Sequence, residues 1–299
     1  MQPIRNIINY TFCLILLITT GFLSGCGGGG GGSSGGSGSA AGNTPSSIPV
    51  VSPTPGSTWL EPAINTTWQW QLQGMVNTGY NVLLYDIDLF DNPASLINSL
   101  QSAGKQVICY FSAGTYESSR VDAAEFLPAD KGKKVAGFAD EKWLDIRSAN
   151  VQRIMRNRLD LAVQKGCDGV EADNVDGYTN KPGFDFTASD QLAYNRLLAT
   201  EAHNRGLAIG LKNDLDQVAV LAGDFDFSVN EQCNEFDECN LLAPFTSAGK
   251  PVFNAEYASI FVNDPAQRVR LCTATQGQWL HTLVLPVALD DGFRFSCEP

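Results

Sequence analysis

Between residues 59 and 299, short apolar runs alternate with segments of helical spacing. The runs fall at 68–72, 82–85, 106–111, 169–173, 207–211, 225–229, 251–255 and 282–285, each the length of a strand. Between them, 95–103, 150–165 and 188–205 carry apolar residues about a helical turn apart, and Gly104, Gly166 and Gly206 follow as stops. Residues 217–222 and 266–275 read as shorter helices. Eight strands alternating with helices predict parallel βαβ units. A doubly wound open sheet alternates in the same way. A count of eight strands in roughly 240 residues favours a single α/β domain of the (β/α)8 TIM-barrel class, typically about 250 residues long.

The chain ahead of that pattern differs in kind. Arg5 is the only charge before Cys26, an apolar run interrupted by Asn9 and Tyr10 covers 7–23, and small residues close it as Leu23-Ser24-Gly25-Cys26. These features describe a secretory signal peptide over 1–25, with an apolar part short for a membrane span. The tetrad is similar to a bacterial lipobox, in which the cysteine is acylated and becomes the new N-terminus. Residues 27–42 are almost all Gly and Ser, and 43–55 are rich in Pro, Ser and Thr. Such composition makes a flexible tether. The expected organisation is a signal peptide (1–25), a lipidated Cys26 with its linker (26–57) and a barrel (58–299). The expected location is exported and lipid-anchored at the cell envelope. In a Gram-negative envelope, Gly27 in place of an aspartate points to the outer membrane or cell surface.

Charge and cysteine content narrow the partners. Thirty-two acidic side chains face 20 basic ones, for a formal charge of −12. Phosphate binding needs a basic surface, so nucleic acid is not an expected partner, whereas a cationic ligand suits the field. Cys13 falls in the signal segment and Cys26 in the lipobox. Cys109, Cys167, Cys233, Cys239, Cys272 and Cys297 remain, an even number that suggests disulfides in an oxidising compartment. The favoured pairs are Cys233–Cys239 as a local loop and Cys272–Cys297 near the C-terminus, leaving Cys109–Cys167. No spacing resembles a zinc site, and neither metal nor cofactor is expected.

Polar residues cluster just after the strand runs. Asp86 and Asp88 follow the second, Tyr110, Ser112 and Tyr116 the third, and Asp173, Asn174 and Asp176 the fourth. Lys212, Asn213 and Asp214 follow the fifth, Asn230 and Glu231 the sixth, and Glu256 and Tyr257 the seventh. In a barrel, the strand C-termini form one mouth, where active sites lie. A single Asp after a strand is commonly a cap or turn residue, but six consecutive strands ending this way exceed what caps explain. With His203 and His281 the only histidines, and His203 inside a predicted helix, Ser-His-Asp chemistry has no placed imidazole. Carboxylates and aromatics remain, the equipment of glycoside hydrolysis, in which one carboxylic acid protonates the leaving oxygen and a second acts as nucleophile or base. Trp70, Tyr110 and Tyr257 are candidates for stacking on sugar faces.

At these residues the chain resembles glycoside hydrolase family 114, the endo-α-1,4-polygalactosaminidases. The matching segments include YDID at 85–88, VICYFSAGTY at 107–116, EKWLDIRS at 141–148, KGCDGVEADNVDGY at 165–178, LAIGLKND at 207–214, VNEQC at 229–233 and AGKPVFNAEY at 248–257. They span nearly the whole predicted domain. The resemblance implies a (β/α)8 barrel, endo-acting cleavage of an α-1,4-linked galactosamine polymer, and two catalytic carboxylates that map to Asp173 and Glu231. Glu171 and Asp173 share a strand face, and Asp173 is nearer the mouth; Asp176 is its rival. Expected substrate contacts are Asp86, Asp88, Tyr110, Asp176, Lys212, Asn213, Asn230, Glu256 and Tyr257. Asp86, Asp88 and Glu256 are assigned to the protonated amino groups of a cationic amino-sugar polysaccharide, bound by a monomer. Two alternatives stand beside this: a lipoprotein that binds polysaccharide without cutting it, and a hydrolase of another amino-sugar linkage.

Overall fold

The computed structural model describes residues 59–298. The signal peptide, Cys26 and the linker all lie outside the described residues. Elements follow in the order β1 (Trp68–Gln71), β2 (Leu84–Asp88), α1 (Ala94–Ser102), β3 (Gln106–Ser112), β4 (Thr115–Glu117), β5 (Lys131–Lys134), β6 (Glu141–Leu144), α2 (Ala149–Lys165), β7 (Gly169–Asp173) and α3 (Ala188–His203). Then come β8 (Ala208–Lys212), α4 (Val218–Leu221), β9 (Phe227–Glu231), α5 (Ala243–Ser247), β10 (Val252–Glu256), α6 (Ser259–Asn263), α7 (Pro265–Gln276), β11 (Leu280–Val284) and β12 (Phe295–Ser296). The eight expected strands are β1, β2, β3, β7, β8, β9, β10 and β11. They pair in that order, all parallel, in a curled sheet of (β/α)8-barrel type.

Helix ends follow local chemistry. Ser148 caps α2 by accepting from the Val151 N–H, and Thr187 and Asp190 form a reciprocal capping box at α3. Asp264 caps α7, whose first residue is Pro265, where a missing N–H costs nothing.

Three departures from a regular barrel appear. No α-helix separates β1 from β2. Between β3 and α2 the chain inserts a small antiparallel sheet in the order β4-β6-β5. After β11 it returns as β12, antiparallel to β11, and bridges toward β1. There the Arg294 guanidinium donates to Gln69 Oε1 (2.6 Å) and the Trp68 carbonyl (3.0 Å), and the Trp68 indole donates to the His281 carbonyl (2.8 Å).

Strand residues alternate between two apolar clusters. Trp68, Leu84, Ile108, Ala208, Phe227, Phe253 and Leu283 fill the barrel interior. Tyr85, Ile87, Val107, Val170, Ile209 and Val252 point outward against the helices. Volumes match across strands: a Cβ on Gly210 would come within 2.2 Å of the Phe227 ring. The disulfides are Cys109–Cys167, Cys233–Cys239 and Cys272–Cys297, the expected pairing. On the face opposite the mouth, Trp59 stacks on His203 with centroids 4.0 Å apart, and both rings bond the carboxylate of Asp226, just before β9.

Candidate active site

The inward-facing residues change character toward the strand C-termini. Above the apolar layer stand Asp86 on β2, Tyr110 on β3, Glu171 and Asp173 on β7, Lys212 on β8 and Glu231 on β9. Register places Tyr110 beside Glu171 and Ser112 beside Asp173. The Lys212 ammonium is the centre. It lies 3.2 Å from Glu171 Oε1, 3.0 Å from Asp173 Oδ1 and 3.3 Å from Glu231 Oε2, and 5.0 Å from the centroid of the Trp70 ring. It donates a hydrogen bond to Asp173 and is ion-paired with all three carboxylates. Burial disfavours the charged lysine, but Asp173, Glu231 and Glu171 together raise its pKa well above the ordinary value.

Asp173 and Glu231 are the carboxylates that reach toward solvent, with side chains 16% and 29% exposed, while Lys212 is 3% exposed. Asp173 accepts from Tyr110 Oη (2.8 Å), Lys212, the Asn174 N–H (2.7 Å) and Asn174 Nδ2 (3.1 Å). Glu231 accepts from Tyr257 Oη (2.6 Å) and Asn213 Nδ2 (3.2 Å) and is ion-paired with Lys212. Burial, then the charge of the adjoining carboxylate, pushes both tyrosines well above the ordinary phenol range, so they remain donors at any working pH.

Backbone strain marks the same three strand ends. Asn174, Asn213 and Gln232, each directly after Asp173, Lys212 or Glu231, have φ of 60°, 49° and 62°. The left-handed region is unfavourable for these residues and concentrates where a site is over-determined. The turn after β7 needs a close approach: a Cβ on Gly114 would lie 1.7 Å from the Asn174 carbonyl oxygen. The Cys233–Cys239 disulfide closes the loop that follows Glu231.

The structure therefore brings together Asp173, Glu231, Tyr110, Lys212, Asn213 and Tyr257. It corrects other expected contacts. Asp86 faces inward but is buried beneath the pair and 1% exposed. Asp88 is buried and engaged by Arg120 (2.7 Å) and by the N–H groups of Phe90 and Asp91, so it holds a turn. Glu256 has the outward parity of Val252, is fully buried, and accepts from the Asn234 N–H (2.8 Å) and Asn254 Nδ2 (3.1 Å), with burial raising its pKa to about 7. Asn230 also points outward and reaches only Asn213 Oδ1, at 3.4 Å. Trp70 is buried under Lys212, which removes it as a stacking platform. Asp176 begins the short turn Gly177–Thr179 beyond β7, two residues past the left-handed Asn174. Sequence reasoning did not single out Arg120 or Glu141, which the region from β4 to β6 carries. Glu141 accepts from Thr115 Oγ1 (3.0 Å), and burial pushes it up to about 7.

A family model describes this region: residues 51–299 match glycoside-hydrolase family GH114. The chain belongs to glycoside-hydrolase family GH114. A solved structure of Ega3 from Aspergillus fumigatus, in complex with galactosamine, is 40% identical, with a TM-score of 0.77 over 80% of this chain and 98% of that one. The glycoside hydrolase domain of PelA from Pseudomonas aeruginosa shares the fold at 13% identity, with a TM-score of 0.59 over 75% of this chain and 96% of that one. An uncharacterized protein of Deinococcus radiodurans is 27% identical over 85% of this chain and 92% of its own length. This GH114 chain is a glycoside hydrolase, and Asp173 and Glu231 face the mouth of its barrel.

Proposed function

We propose that the protein cleaves an α-1,4-linked galactosamine-rich polysaccharide from within the chain, with retention of anomeric configuration, through Asp173 and Glu231. The observation that carries the reading is their shared hold on Lys212. Contacts of 3.0 and 3.3 Å to one nitrogen leave the two nearest oxygens no more than the sum of those distances apart. Carboxyls sharing one ammonium suit the ~5–5.5 Å separation of retaining enzymes better than the ~6.5–9.5 Å of inverting ones, which must fit a water. Four donors fix Asp173, as a nucleophile aimed at an anomeric carbon requires. Glu231 has two and is more exposed, which suits protonating the glycosidic oxygen and then activating water.

The galactosamine in the Ega3 complex and the acidic surroundings of the mouth support a protonated amino sugar as substrate. Proton NMR of products released from defined galactosamine oligomers tests the stereochemistry. Initial α-product is expected, and initial β-product would overturn retention. Binding of the oligomers without any bond cleavage would instead indicate a polysaccharide-binding lipoprotein.

The same reading places the protein outside the cytoplasm, as a monomer tethered through a lipidated Cys26. Three disulfides suit an oxidising compartment. Trp59, the first described residue, packs against His203 and Asp226 on the face opposite the mouth. Replacing Cys26 by Ser should move the protein from detergent to aqueous phase on partitioning, and unchanged partitioning would refute the anchor.

A further inference from the structure

Beneath the pair that faces the mouth lies a second pair of acids out of reach of solvent. Asp86 is 1% exposed and Glu171 0%. Among the described residues no N–H or O–H donor reaches either oxygen of Asp86. It lies against the carboxyl of Glu171, whose oxygens likewise have no hydrogen-bond donor among the described residues. Two carboxyls in contact and away from water cannot both be ionised, so the pair keeps a proton between them. Only Glu171 also touches a cation, Lys212, at 3.2 Å. The proton therefore sits on Asp86 and is donated to Glu171, which keeps its negative charge toward the ammonium. The directions agree: burial and the charge of Glu171 raise Asp86 well above the carboxylate range, whereas burial raises Glu171 only to about 7 because Lys212 and Asp86 counter it.

We propose that Glu171, held from below by the protonated carboxyl of Asp86, is a positioning residue that keeps the Lys212 ammonium centred between Asp173 and Glu231. The near-equal distances to the three carboxylates express that balance. If Glu171 lost its charge, the ammonium would close onto the upper carboxylates and tie up the nucleophile and the acid in ion pairs. Asp86 thus acts as a neutral acid that supplies a hydrogen bond, not as a contact for cationic sugar.

The groups that face Glu171 are Asp86 from β2, Tyr110 from β3, Asp173 from β7, Lys212 from β8, Glu231 from β9 and Tyr257 just after β10. Both tyrosines stay protonated and Lys212 stays charged, so the groups that titrate here are the buried pair and the two carboxyls above it, Asp173 and Glu231. Because Glu171 titrates at about 7, the centring is complete above that pH and is lost as pH falls through it.

This inference rests on Asp173 and Glu231 being the reacting pair, and its test separates the two claims. Infrared difference spectra of the full-length protein, without substrate, should show a protonated carboxyl band at about pH 8 that loses intensity in Asp86→Asn, with Asp214 supplying what remains. A band unchanged by Asp86→Asn overturns the inference and leaves hydrolysis untouched; the intensity loss read in a protein that cuts nothing supports the buried pair while the hydrolase reading falls. Kinetically, Glu171→Gln should lower kcat about tenfold or more with little change in KM, and its pH profile should lack the limb near pH 7. Asp86→Asn keeps an N–H donor toward Glu171 and should stay within about threefold of wild type, whereas Asp86→Leu should resemble Glu171→Gln. Wild-type kcat and an unmoved limb in Glu171→Gln would overturn the positioning role. So would Asp86→Asn falling as far as Glu171→Gln with its fold intact by circular dichroism. Should Asp86→Leu not fold, the two isosteric variants decide the matter.

Discussion

Two groups of carboxylates end the barrel strands, and they do different things. Asp173 and Glu231 face inward at the mouth, share Lys212, and are each bonded to a tyrosine hydroxyl. Asp88 and Glu256 end β2 and β10 at comparable heights, yet Asp88 is closed onto Arg120 and Glu256 onto the backbone of the β9–α5 loop. The first pair is partly exposed and the second is buried. What separates them is strand parity for Glu256 and a partner from a distant insertion for Asp88. A strand-end acid serves chemistry only when its face and its partners leave it open to substrate.

Breaking the first group should have the largest effect. Glu231→Gln should reduce polymer cleavage about 10³-fold, the scale of a lost general acid. It should spare the first step on a substrate whose leaving group needs no protonation. Equal loss on both substrates, measured by initial rates, would move the acid role elsewhere. Next comes Glu256→Ala, which strands the buried Asn254 amide and the part-buried Asn234 N–H and should cost about 1–3 kcal/mol of stability in denaturant unfolding. Glu256→Gln keeps an acceptor and should recover most of that loss. If Glu256→Ala instead abolished cleavage without destabilising the fold, Glu256 would belong with the first group.

Buried acids also set the response to pH. Burial raises Asp214 to about 8 and Glu141, Glu171 and Glu256 to about 7. A carboxyl whose folded pKa exceeds its unfolded value holds its proton in the fold where the unfolded chain has lost it. Its stabilisation is complete below the unfolded value and is lost as pH rises through the folded one. Tm should therefore be higher near pH 5 than near pH 8, with a smaller difference in Glu256→Gln; a Tm that rises over that interval would contradict these environments. The smallest effect is expected for Asp88→Asn, which retains an acceptor for Arg120 and should change cleavage less than about threefold.

Much of this was legible in the chain. Eight apolar runs of strand length mark the barrel, and the polar residues at 173, 212, 213, 231 and 257 lie where β7 to β10 open to the mouth. The sheet of β4 to β6 was not legible, because Lys131–Lys134 is a short, Lys-rich strand without alternation. Its absence from the prediction also hid Arg120, and with it the reason Asp88 is occupied. Glu256 was misplaced because only the register against β9 and β11 reveals that its parity is that of Val252. Asp86 was given the right face and the wrong depth: periodicity assigns a side, while burial depends on Trp70 and Lys212 closing over it. The pairing of Asp86 with Glu171 joins β2 to β7 across the barrel and has no signature along the chain.

The central claim is that the carboxylates converging on Lys212 at the mouth cut the polymer. Reducing-end release from de-N-acetylated galactosamine polymer tests it, with wild-type protein and Asp173→Asn compared at equal folded concentration. Steady release by the wild type and loss of about 10³-fold or more in Asp173→Asn, with Tm unchanged or raised, is the predicted result. Undiminished release by Asp173→Asn would contradict it.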